Sequence, residues 1–128
     1  NDEHVDIPTE YYNSFCAVVN ESLYAYPFGQ FADKTLNAIK TFRPFVLVST
    51  PYTLEYMKKL GFKTFDNYWS EDYDKIENHV DRLKEIFNVI DYIDSLSLDT
   101  CKKMYQEMQV ILDYNHKLLY NIRNQEGI

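Results

Sequence analysis

The chain has 128 residues and a mass of 15.3 kDa, which bounds it to one domain large enough to bury a core. Hydrophobic residues make up 45% of it and aromatic residues 16%, so a packed globular chain is expected and a disordered one is not. A net charge of -7 argues against a sequence-independent hold on nucleic acid, which rests on Lys and Arg, but leaves room for a nucleotide ligand needing only a few local donors.

In chain order, residues 1–10 form an acidic, polar lead-in expected to fray. Residues 14–20, SFCAVVN, predict a first strand, and residues 21–30, with Pro27 and Gly29, predict a loop. That loop is long for an α/β connection, and long loops at strand carboxyl ends are where ligands sit in parallel sheets. DKTLNAIK then sets Leu36, Ala38 and Ile39 on one side of a helix that Arg43-Pro44 should end. PFVLVS runs apolar without alternation, as a strand covered on both faces would.

Ser49-Thr50-Pro51 reads as a hydroxyl-capped helix start, with Leu54 and Met57 buried and Gly61 closing the helix at C′. Lys63-Thr64-Phe65 predicts a short third strand, followed by an aromatic, acidic loop. Asn78 or Glu77 opens a helix with Val80, Leu83, Ile86, Phe87, Ile90 and Ile93 as its apolar stripe. Ser97 or Asp99 caps the last helix, whose stripe runs from Cys101 through Met104, Tyr105, Met108, Ile111 and Leu112 to Leu118, Leu119 and Ile122.

The order predicts an α/β fold: a small parallel sheet of about three strands with helices on both faces, then two long C-terminal helices. It is one domain over 1–128, with a β-α-β-α-β core at 14–65 and the helices at 77–124, half of a Rossmann-like unit. So narrow a sheet has open edges, and the last two helices carry more apolar surface than it covers. The excess points to a second copy of the chain or to a missing half. No apolar window approaches the length of a membrane span and no secretory core is present, so a soluble, cytoplasmic protein is expected, with Cys16 and Cys101 as buried thiols. Asn1 is not a methionine, so residues have been removed or the chain is part of something longer.

Two predicted helix starts, at 32–35 and 50–53, follow strands and should point to the same carboxyl edge of the sheet, where a diphosphate could meet backbone amides. Lys34 lies in the first turn of the earlier helix, where the macrodipole disfavours a cation. Its placement points to an anion, or to a solvated pair with Asp33 or Glu21.

The pattern N-E-S, then A-D-K-T-L-N-A-I, then R-P-F-V-L-V resembles the donor-binding core of GT-B glycosyltransferases of the fucosyltransferase type, whose motif runs E-N-S, T-E-K-L-Y-N-A-L and V-P-V-V-L. The resemblance covers roughly residues 14–70. Together with L-G-F-K-T-F, D-N-Y-W-S-E-D-Y-D and the late D-Y-N-H, most of the chain also resembles phage and marine-environment proteins described as glycosyltransferase-like.

The family likeness implies that Lys34 meets the phosphates of a nucleotide diphosphate sugar, with Thr35 and the amides of 33–35 beside it. It further implies that Asp33 or Glu21 takes the ribose, and that Asn37 belongs to the same motif. Ala32 stands where the family has threonine, and Asp33 where it has the longer glutamate. Family members act in a cleft between two domains with the acceptor site on the other one, so this chain would bind donor but be incomplete for transfer. No cofactor or metal is implied.

Outside that motif, Tyr24, Tyr26 and Phe28 precede Lys34 and are candidates to stack on a base or sugar, or else to pack as rim. Glu71, Asp72 and Asp74, and Asp91 and Asp94, are adjacent carboxylates without the geometry of an acid/base pair; the first group reads as loop acids capping the next helix. His4, His79 and His116 share no metal-ligand spacing with a cysteine. The rival expectation is a non-catalytic interaction module, of phage type among others, that pairs through the helix of residues 98–124.

Overall fold

The computed structural model describes residues 15–20 and 33–125. It is mixed α/β. Strand β1 (Ala17–Asn20) leads to helix α1 (Asp33–Lys40), strand β2 (Phe45–Val48) and helix α2 (Thr53–Lys59). A 3-10 turn (Asp72–Lys75), helix α3 (His79–Asp94) and helix α4 (Leu98–Gln125) follow. The two strands pair in parallel, Ala17 opposite Phe45 and Asn20 opposite Val48, so their carboxyl ends lie level.

β2 is the covered strand the apolar run predicts, with Phe45, Val46 and Leu47 all buried. β1 alternates instead: Val19 is buried and Val18 is half exposed. The core continues through Ala38 and Ile39 of α1, Leu54 and Met57 of α2, and Phe62, Phe65 and Trp69 beyond it. Ile86, Val89 and Ile93 of α3 and Met108, Leu112 and Leu119 of α4 complete it.

Helices α1 and α2 end alike for different reasons. After α2, Gly61 adopts φ 107 and its N–H reaches the Lys58 carbonyl, while Phe62 N–H reaches Met57. This is the Schellman closure that a glycine permits. After α1 the same pair of bonds forms, Phe42 to Ile39 and Arg43 to Ala38, but the left-handed residue is Phe42 at φ 56. A side chain there costs about 1 kcal/mol. Two contacts with α4 offset it: Tyr105 donates its hydroxyl to the Phe42 carbonyl at 2.9 Å, and the Phe42 ring stacks on His116 at 4.2 Å. Pro44 therefore stands past a helix that has already closed, and its carbonyl accepts the Ala17 amide where the sheet begins.

The predicted third strand does not form. Lys63, Thr64 and Phe65 join no ladder among the described residues. Side chains take the place of a neighbouring strand. Asn115 of α4 accepts the Lys63 amide and donates to the Lys63 carbonyl, both at 2.9 Å. Glu71 accepts the Thr64 hydroxyl at 2.6 Å and the Phe65 amide at 2.9 Å. On the sheet itself, the buried Tyr73 hydroxyl accepts the Leu47 amide of β2 at 3.2 Å.

The α3 stripe also differs from expectation. Its buried line is Arg82, Ile86, Val89 and Ile93, while Val80 and Phe87 are exposed. Arg82 can lie on that line because its guanidinium donates to the Ile76 carbonyl at 3.2 Å and meets His79 Nδ1 at 3.1 Å. Asn78 caps α3 through the Asp81 amide, and Ser97 caps α4 through the Thr100 amide, as their sequence positions predict. Along α4, the seam is Cys101, Met108, Leu112, Asn115 and Leu119. Both cysteines are free and buried. No helix among the described residues is long and apolar enough to cross a membrane.

Candidate functional site

Of the donor-binding residues expected from sequence, Lys34, Thr35 and Asn37 are described with their side chains. Asp33 is described only as the first residue of α1, and Glu21, Tyr24, Tyr26 and Phe28 lie outside the described residues. Lys34 sits in the first turn of α1, exposed, and its Nζ donates to the Asn20 carbonyl at 3.3 Å. That carbonyl is the last of β1, so the ammonium group stands at the carboxyl edge of the sheet. Thr35 is fully buried and engaged, and Asn37 is exposed one turn further along. The motif thus splits, with one cation facing solvent at the strand end and a threonine turned into the core.

The second predicted helix start is occupied. Ser49 and Thr50 do not cap α2; Tyr52 stands at its N-cap in the left-handed region at φ 67, without a side-chain bond. The carboxylate of Asp74, a distant residue in sequence, accepts the Leu54 amide at 2.8 Å and the Glu55 amide at 3.1 Å. The Asp74 carbonyl takes the Tyr52 amide at 2.7 Å, which fixes the turn in place. An internal anion already satisfies the amides that a bound anion would use, and the macrodipole with them. Thr53, Ser49 and Thr50 close the remaining polar groups by bonding one another.

Asp74 therefore caps the helix before it and Glu71 holds the stretch before it, and neither caps the helix after them. Replacing Asp74 by alanine is expected to lower stability by about 1–2 kcal/mol, the usual size of a lost cap. A urea titration measures it as a lower midpoint at constant slope. An unchanged midpoint would remove Asp74 from this role.

Nucleophilic chemistry finds no support at the thiols. Burial pushes Cys16 far above the ordinary thiol range and Cys101 upward as well, so neither is poised as a thiolate. Asp94 lines a dent of about 20 Å³ with Cys16, Val18, Ile90 and Ile93, room for about one water. No group of three or more His, Cys, Asp or Glu suited to a metal ion occurs among the described residues. His79 meets Arg82 and His116 lies under Phe42.

Sequence reasoning missed Asn115 and Arg82 because a polar residue on an apolar stripe reads as a gap in it. It placed Glu71 and Asp74 in a solvated loop, although their partners lie upstream at Thr64, Phe65, Leu54 and Glu55. Comparison of the chain with models of known protein families, with curated proteins and with solved structures gave no match.

Proposed function

We propose that the chain is a donor-binding half-domain of glycosyltransferase type, which holds the diphosphate of a nucleotide sugar at the start of α1. The observation that carries this reading is the position of Lys34, an exposed ammonium at the carboxyl end of a parallel strand, which among the described residues donates to the Asn20 carbonyl, a bond that a phosphate could replace. The amides of residues 33–35 would add the helix-start donors, and Asp33 or Glu21 would take the ribose. Binding is the activity proposed for this unit, and transfer would call on an acceptor domain as well.

A thermal-shift series against uridine, guanosine and cytidine diphosphates and their sugars tests this, since a ligand that binds only the folded state raises the melting temperature. Lys34→Ala is expected to weaken binding about tenfold or more, a charge-assisted bond being worth roughly 1.5–3 kcal/mol. Unchanged affinity for every nucleotide would remove Lys34 from the site.

A second reading, a non-catalytic interaction module, draws on other observations. The α2 start carries its own carboxylate, and Phe87, Val110 and Tyr120 present large side chains to solvent on the two long helices, with Val110 71% exposed. It predicts association through α3 and α4. A strictly monomeric species at high concentration would count against self-association.

A further inference from the structure

The stretch between α2 and α3 is fastened by carboxyl groups. Glu71 receives Thr64 and Phe65, and three residues on Asp74 receives Leu54 and Glu55. Among the described residues no cation closes on Glu71: Lys58 pairs with Asp66 at 3.7 Å, and Lys59 with Glu55 at 3.8 Å.

Both bonds at Glu71 survive protonation. A neutral carboxyl group donates its O–H to Thr64 Oγ1, since a hydroxyl accepts as well as donates, and its other oxygen still takes the Phe65 amide. Protonation then removes a partly buried negative charge while both contacts of Glu71 are kept.

We propose that residues 65–75 form a latch that is tightest in mildly acidic solution and loosens as the pH rises, with Glu71 as its sensor. Burial is the largest influence on Glu71 and holds it above the ordinary carboxylate value of 4.5, against the Thr64 and Phe65 bonds. Asp66 beside it acts in the same direction as burial, and Lys58 on α2 acts against both. Tyr73 of the 3-10 turn also feels the Glu71 charge, and burial raises Tyr73, while the Asp74 carboxylate is turned to the Leu54 and Glu55 amides. The folded chain thus keeps a proton that the unfolded chain gives up. The stability so gained is complete below the ordinary value and is lost as pH climbs through the raised one. This inference is independent of the nucleotide reading.

Trp69, the single tryptophan, is 4% exposed inside the stretch and stands against Phe15 and Phe65, so it reports on the latch. Acrylamide quenching of its fluorescence is expected to increase in the unmodified chain as the pH is raised from below the ordinary value of 4.5 through the raised value of Glu71. In Glu71→Gln, whose amide reproduces both bonds without a charge, quenching should stay at the low-pH level throughout. A flat profile in the unmodified chain, or an unaltered rise in Glu71→Gln, overturns the proposal. Hydrogen exchange of the Phe65 amide in the unmodified chain gives a check that needs no variant. Its protection, corrected for base catalysis, should fall over the same range, and constant protection contradicts the latch.

Discussion

Replacing Asn115 by alanine is expected to destabilise the fold by about 3 kcal/mol, on the order of 10 °C in melting temperature. Asn115 is 2% exposed, and its amide makes both bonds to the backbone of Lys63 that a neighbouring strand would otherwise make. Alanine leaves a donor and an acceptor unpaired, each costing about 1–3 kcal/mol, and opens a small void between α4 and the segment after α2. Asn115→Asp should be no milder, because it still accepts the Lys63 amide but sets a carboxylate against the Lys63 carbonyl. Asn115→Leu separates volume from hydrogen bonding. If that variant melts with the unmodified chain, the two bonds contribute nothing and the segment is held by packing alone.

The second large effect is expected at Phe65, on the same segment. Its side chain is fully buried, edge-on to Phe45 of β2 at 5.1 Å and 6.0 Å from Trp69. Phe65→Ala removes about 4 kcal/mol by lost transfer energy and the cavity left behind. Domains of this size have roughly 5–15 kcal/mol in all, so the variant should sit close to unfolding at room temperature. Phe65→Leu, which keeps most of the volume, should lose under about 1.5 kcal/mol. Urea titration followed by Trp69 fluorescence measures both. Equal losses for the two variants would show that the aromatic contacts, not the filled volume, carry the effect.

Together these residues explain what the sequence made legible. α1, β2, α2 and the Gly61 closure follow in kind and order from local patterns of apolar spacing and a glycine, although α2 starts later than Ser49-Thr50-Pro51 predicts and α1 closes before Pro44. The caps at Asn78 and Ser97 are equally local. The third strand was not a local matter. Lys63-Thr64-Phe65 has a strand's composition, but its backbone partners are the side chains of Glu71 and of the distant Asn115, and no periodicity carries that information. Asp74 escaped in the same way, since a cap reaching α2 from a later loop leaves no mark near Ser49 and Thr50. On α3 the expected stripe was rotated because Arg82, a charged residue, shares the buried line with Val89, while Phe87 faces out. The place of Lys34 in a first helical turn was legible; the closure of the second helix start was not.

Two-dimensional amide NMR of the chain titrated with nucleoside diphosphate sugars tests the proposed donor site most directly. The account predicts saturable shifts at residues 33–35 with at least one of these ligands, and still signals at Leu54 and Glu55, whose amides Asp74 already holds. Shifts confined to Leu54 and Glu55 or to the exposed faces of α3 and α4, or none at millimolar ligand, would contradict it.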